Sequence, residues 1–138
     1  MSFDIFLQRF RSGEPAAADK QPVLALLETI RHKPAEHGIY ELLFADGSSV
    51  DFAAKELTTD EPFQGCAFFT HGVSDAALEA IYRVAKAARM VILPADAPNS
   101  AIFVDSELKA GVPPEVLTDF IAIEVSSPAE LRVALRLT

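Results

Sequence analysis

The sequence predicts an α+β fold in a single domain, with helices packed on a largely antiparallel or mixed sheet. Three observations carry this prediction: an apolar strand opens the chain, several strand patterns follow one another through turns, and two main amphipathic helices precede a C-terminal helix. At 138 residues, the chain fits one domain, residues 1–138, that can bury a core without disulfides.

The first strand begins at Phe3, ends at Phe10 and is apolar on both faces. Phe3, Ile5 and Leu7 point to one side, whereas Phe6 and Phe10 point to the other. A strand covered on both faces lies in the middle of a sheet. We therefore expect the N-terminal segment to be part of the core and not a tail or a targeting signal.

A polar link over residues 11–21 leads to the first main helix. Pro22 suits its first turn, Pro34 and Gly38 end it, and its apolar positions recur at helical spacing: Val23, Leu26, Leu27 and Ile30. Next comes a hairpin of two strands, 39–45 and 50–54, because Asp46-Gly47 is a strong turn signal between alternating residues.

The second half of the chain repeats the change from strand to helix. A loop over 55–65 precedes a strand over 66–70, a helix capped by Ser74 and ending near Arg89, a short strand over 90–93 and a stiff loop over 94–99. Two more strands, 101–104 and 120–125, flank one helical turn at Pro113-Pro114, and Ser127 opens the C-terminal helix. A ferredoxin-like core has two strands between its helices, and this chain has three. Either the sheet is mixed or the 55–65 loop carries the chain back across it.

Composition excludes several classes of function. A formal net charge of −8 disfavours binding to nucleic acid and to anionic membranes, and no apolar run is long enough to span a bilayer. The single cysteine, Cys66, cannot form an internal disulfide, which favours a reducing compartment, the cytoplasm. Cys66 and His71 have odd spacing on one strand and so point to opposite faces, which favours a structural cysteine.

Neither a metal site nor a cofactor site is predicted. His32 and His37 flank the end of the first helix, but no third ligand has a recognisable spacing, and an interaction of His32 with the helix C-terminus is the better interpretation. The glycines do not form a phosphate-binding loop. Arg9, Arg11 and Glu14, at the end of the first strand, are interpreted as an ion-paired surface.

One candidate ligand site follows from topology. If the strand over 66–70, the second helix and the strand over 90–93 form a β-α-β unit, both strands end at the same edge of the sheet. The polar residues gathered there would be His71, Ser74, Asp75, Asp96 and Asn99. A helix N-terminus adds free N–H donors to such a pocket. The alternative interpretation is a helix cap beside a rigid proline loop.

The chain also resembles a group of small uncharacterised bacterial proteins. The segments that carry the resemblance are the opening FDIFLQRF, then 12–15, 88–94 and 112–115. The resemblance implies a bacterial, cytoplasmic single domain, and it transfers no catalytic residue.

The function expected from the sequence is therefore a non-catalytic binding or interaction protein, with self-association or a protein partner. An immunity-type protein that neutralises a basic toxin would suit its small size and negative charge. The alternative is a small hydrolase or ligand-binding enzyme that uses His71 with Asp75 or Asp96. A deep pocket holding His71 and two carboxylates would favour the enzyme, whereas a flat acidic or apolar face would favour the interaction protein.

Overall fold

A computed structural model describes residues 3–96 and 99–136, and these ranges form an α+β domain around a mixed seven-stranded sheet. The strands of the sheet are β1 (Phe3–Gln8), β4 (Ile39–Leu43), β5 (Ser49–Ala53), β6 (Gly65–Thr70), β7 (Val91–Pro94), β8 (Ser100–Phe103) and β9 (Ile121–Glu124). A small hairpin is formed by β2 (Phe10–Arg11) and β3 (Glu14–Pro15). The helices are α1 (Lys20–Glu28), α2 (Asp75–Ala88), α3 (Pro114–Asp119) and α4 (Pro128–Ala134), with 3₁₀ helices at Lys55–Thr58 and Ser106–Gly111.

The N-terminal strand lies at the centre of the sheet, as predicted. The strand order is β4-β5-β6-β1-β7-β8-β9, and each neighbouring pair is antiparallel except β8 and β9. The four strands β5-β6-β1-β7 have the order of a ferredoxin-like core. The additional strand between the main helices is β4. It pairs with the outer side of β5 and so extends that core by one strand.

One face of the sheet packs against the helical layer formed by α1, α2 and α4. Its side chains include Leu7, Phe52 and Phe68, which are almost completely buried. The rings of Phe52 and Phe68 are stacked, with centroids 4.7 Å apart. The apolar face of α2 predicted from its spacing is also buried, from Ala77 to Ala88. This side of the sheet therefore holds the main core.

The opposite face is only partly covered. The 3₁₀ helix Ser106–Gly111 and α3 connect the parallel strands β8 and β9, and a right-handed crossover in that direction puts them on this second face. They cover the β7–β9 end, where Phe103 is fully buried, but leave Phe6 on β1 43% exposed. The expectation that β1 is covered on both faces is thus wrong at Phe6. We call the uncovered part, formed by β4, β5, β6 and β1 and bordered by Leu93 of β7, the open face.

Two connections differ from the sequence prediction. Helix α1 ends at Glu28, well before Pro34, because the chain then pairs with β4: Leu43 N–H donates to the Arg31 carbonyl at 2.8 Å, and Lys33 N–H donates to the Glu41 carbonyl at 3.0 Å. The predicted polar link over 11–21 contains β3 and part of the small hairpin. Among the described residues, no helix is both long and apolar enough to cross a membrane.

Candidate functional site

The open face carries two parallel rows of side chains with different chemistry. Directly paired residues on neighbouring strands share a face, so the register defines each row. We call Leu93, Phe6, Ala67, Ala53 and Ile39 the apolar row. We call Asp4, Phe69, Asp51 and Glu41 the acidic row. The two rows are two residues apart along each strand, a separation of about 6–7 Å.

Two clefts lie on this face, one at each end of the strands. The lower cleft, about 760 Å³, has Ala53, Gly65 and Ala67 among its lining residues, with Phe6 and Ile39 also contributing. The upper cleft, about 780 Å³, is bounded by the β4–β5 turn and the segment before α2. Phe6 lines the lower cleft and Phe69 the upper one, and their rings meet edge to face with centroids 6.4 Å apart. This aromatic pair therefore stands between the two clefts.

A chain of hydrogen bonds in the upper cleft joins the β4–β5 turn to the start of α2. Ser48 Oγ donates to Asp46 Oδ1 at 2.5 Å, and the oxygens of Ser48 and Ser74 are 2.9 Å apart. Because the one proton of Ser48 goes to the carboxylate, the hydroxyl of Ser74 must be the donor to Ser48. Ser74 Oγ in turn accepts from Ala77 N–H at 3.1 Å, which makes it the N-cap of α2. The side-chain and backbone hydrogen bonds from Ser48 lower the pKa of Asp46.

His71 lies in the same cleft, beside the carboxylates of the acidic row. It is exposed, one residue beyond the end of β6, and Asp51 and Glu41 also line this cleft. Glu41 is already paired with Lys33, at 2.9 Å. In the described ranges, no hydrogen bond joins His71 to Ser48, Ser74 or either carboxylate, so neither serine is positioned against His71 as its base. The carboxylate that does contact a serine hydroxyl in this cleft is Asp46, which accepts from Ser48.

The predicted ligand residues reach one edge of the sheet but not one pocket. Strands β6 and β7 do end at the same edge, with Thr70 paired to Phe3 and Pro94 to Ile5. Since β1 lies between them, their backbones are separated by two interstrand spacings, about 10 Å. His71 and Ser74 line the upper cleft, whereas Asp96 lines a different, smaller cavity of about 200 Å³.

The other two predicted residues have structural partners. The carboxylate of Asp75 accepts a hydrogen bond from Arg132 at 2.8 Å, which joins α2 to α4. The carbonyl of Asn99, at the start of β8, accepts from Ile121 N–H. A ligand role for the set His71, Ser74, Asp75, Asp96 and Asn99 stays a prediction.

Cys66 lies on the helix-covered face of β6 and is almost fully buried. Its Sγ atom is 3.8 Å from Met90 Sδ, and desolvation raises the pKa of the thiol strongly. His32 Nδ1 donates at 2.7 Å to the carbonyl of Ile30, which belongs to the loop after α1, so the predicted interaction of His32 with the helix C-terminus stays a prediction. Within residues 3–96 and 99–136, no group of three or more His, Cys, Asp or Glu residues could hold a metal ion.

The arginines after β1 do not form the ion-paired surface expected. Arg11 and Glu14 are opposite each other in the small hairpin, but no salt bridge joins them in the described structure. Arg9 donates to the carbonyl of Arg89 at 3.3 Å, at the C-terminus of α2. Burial, followed by the charges of Arg11 and Arg89, lowers the pKa of Arg9.

Sequence reasoning missed the residues that give the open face its character. Glu41 and Asp51 lie within the predicted hairpin strands and Ser48 follows the predicted turn, but none of the three was among the predicted site residues. Their alternation with Leu42, Val50 and Phe52 did indicate that they point away from the core. The sequence did not reveal that β5 pairs with β6, which aligns Glu41 and Asp51 with Asp4 in one row.

Comparison of the chain with protein-family models, with curated proteins and with solved structures finds no match in any of the three. The resemblance to small bacterial proteins therefore stays a prediction.

Proposed function

We propose that this chain is a non-catalytic, cytoplasmic protein-binding domain, and that its open face holds a basic segment of another protein. The observation that carries the proposal is the apolar row beside the acidic row. Phe6 and Ile39 are 43% and 38% exposed at two positions of the apolar row, so apolar surface is available to a partner. Binding there would remove apolar area from water, the main favourable term in protein association.

Charge complementarity defines the chemistry of the partner. The acidic row contributes Asp4 and Asp51 beside the Glu41–Lys33 pair, and the whole chain carries a net charge of −8. A segment lying along the apolar row would match both rows if its Lys or Arg side chains, which have long flexible stems, reached sideways to the acidic row about 6–7 Å away. Acidic surfaces also accelerate encounters with cationic partners.

The apolar row is long enough for a short segment. It crosses five strands, from Leu93 on β7 to Ile39 on β4, which corresponds to four interstrand spacings or about 19 Å. An extended segment of about six residues has this length. A basic toxin is the partner class that suits such a surface on a small acidic protein, and the chain would then act as an immunity-type protein that covers the toxin's cationic surface.

The test is selection of displayed 12-residue peptides on the purified protein, followed by titration of synthetic copies. We expect the selected sequences to be rich both in apolar residues and in Lys or Arg. Phe6→Ser and Asp51→Lys should each weaken binding at least tenfold, and added salt should weaken it further. The matched controls Val133→Ser and Glu28→Lys change the same residue classes on the helical layer and should alter affinity less than twofold.

Two results would contradict the proposal. Selected peptides that are acidic, or that bind Phe6→Ser and Asp51→Lys as tightly as the unmodified protein, would exclude the open face as the binding surface. Turnover of p-nitrophenyl esters that disappears in His71→Ala, with folding intact, would favour the small hydrolase instead.

A further inference from the structure

The two edges of the sheet are treated differently by the chain. The outer edge of β4 is covered by the protein itself, because residues Arg31 and Lys33 hydrogen-bond to Leu43 and Glu41. At the other edge, β9 is the last strand in the order, and no described segment pairs with its outer side. An uncovered edge strand is a template for pairing with another chain.

The outward hydrogen-bonding groups of β9 follow from its parallel ladder with β8. Ile121 N–H donates to the Asn99 carbonyl, and Val125 N–H donates to the Phe103 carbonyl. Because bonding alternates along a strand, Ile123 also faces β8, whereas Ala122 and Glu124 direct their N–H and C=O groups away from the sheet. Two donors and two acceptors therefore face outward at this edge.

We propose that β9 pairs antiparallel with β9 of a second copy of this chain, with the two-fold axis at Ile123. In that register, Ala122 of each copy lies opposite Glu124 of the other. Each such pair exchanges two backbone hydrogen bonds, which gives four bonds in all. Ile123 faces its own counterpart across the axis. Ile121, which is 57% exposed, lies opposite Val125 of the second copy.

Side-chain chemistry suits this self-pairing. No like charges are opposite each other, because Glu124 faces Ala122 of the other copy. The Oε1 atom of Glu124 also lies 3.3 Å from Nζ of Lys109 in its own chain. The strand carries no proline or lysine of the kind that protects an edge. A four-residue strand pair is smaller than a standard stable interface, so we expect weak association, with a dissociation constant in the range of about 10–1000 µM.

Sedimentation equilibrium up to about 1 mM protein measures the association, and amide hydrogen exchange locates it. We expect the amides of Ala122 and Glu124 to gain protection with concentration, while that of Ile123, already bonded to β8, does not. Ala122→Pro removes an outward donor without touching the β8–β9 ladder, and it should abolish association while the melting temperature stays the same. Because each copy carries −8, added salt should strengthen the dimer, opposite to its effect on a basic partner.

A charge-swap series tests the register independently of proline. Ala122→Glu puts two carboxylates opposite each other and should weaken the dimer about fivefold, and the double variant Ala122→Glu with Glu124→Lys should restore it. Ala25→Glu on the exposed side of α1 is the matched control and should have little effect. A chain that stays monomeric at 1 mM, or a dimer unaffected by Ala122→Pro and Ala122→Glu, would overturn the proposal.

Discussion

Replacing Ser74 by alanine tests whether the polar cluster at the start of α2 is a structural connection. Ser74 caps the helix through Ala77 N–H, and its hydroxyl also donates to Ser48 on the β4–β5 turn. Loss of an N-cap costs about 1 kcal/mol, and loss of a hydrogen bond costs about 0.5–1.5 kcal/mol. We therefore expect Ser74→Ala to lower the free energy of unfolding by about 2 kcal/mol, which is roughly 6–10 °C in melting temperature for a domain of this size.

The measurement is urea denaturation of Ser74→Ala, Ser48→Ala and the double variant. Because the two hydroxyls bond each other, the double-mutant cycle should give a coupling of about 0.5–1.5 kcal/mol. Ser127→Ala is the matched control: Ser127 caps α4 through Glu130 N–H, and its loss should cost only the capping contribution, about 1 kcal/mol. Equal losses for Ser74→Ala and Ser127→Ala, with no coupling to Ser48, would refute this reasoning.

The pH dependence of stability gives a second readout of the same connection. The pKa of Asp46 is lower in the folded protein than in the unfolded chain because Ser48 donates two hydrogen bonds to its carboxylate. A lowered folded-state pKa stabilises the protein above the unfolded value, about 3.9, and the contribution is lost as pH falls through the folded-state pKa. Asp46→Asn should therefore be less stable than the unmodified protein at pH 7, and the difference should shrink below about pH 3.9.

Three further predictions concern the core and the surface. Native Cys66 should resist alkylation until the protein unfolds, because burial raises the pKa of the thiol; rapid labelling of folded protein would contradict its structural role. Phe68→Ala should cost about 3–5 kcal/mol and Phe6→Ala less than about 1 kcal/mol, since only Phe68 is fully buried; similar losses in thermal melts would mean that the open face is covered. The chain should not bind duplex DNA at physiological salt, which a fluorescence-anisotropy titration would disprove by submicromolar affinity that falls steeply with salt.

Local pattern was enough to predict most elements of the fold, because each depends on neighbours in sequence. The apolar face of α2, the Ser74 cap and the Asp46-Gly47 hairpin turn follow directly from spacing and turn chemistry. The central position of β1 in the sheet was also predictable, from the apolar residues on both of its faces. The exposure of Phe6 was not predictable, because it depends on where the β8–β9 connection lies. The residue type alone does not tell whether a Phe is exposed or buried.

The candidate site was predictable only in part, for a topological reason. That β6 and β7 would end at one edge follows from the crossover rule, and they do. The position of β1 between these strands places His71 and Asp96 in different cavities. This position depends on pairing between residues far apart in sequence. The rows on the open face depend on the same long-range pairing, which no local pattern encodes.

The central position of β1 has a consequence for synthesis of the protein. Leu7 pairs with Cys66 and Ile92, which the ribosome adds 59 and 85 residues later. At about 5–20 residues per second, this strand waits several seconds for either partner, while the β4–β5 hairpin can already form. During that interval, FDIFLQRF is available to strands of other nascent chains. Asp4, Gln8 and Arg9 interrupt its apolar run. Polar residues in such positions oppose aggregation, so these three would act while the chain is still unfolded.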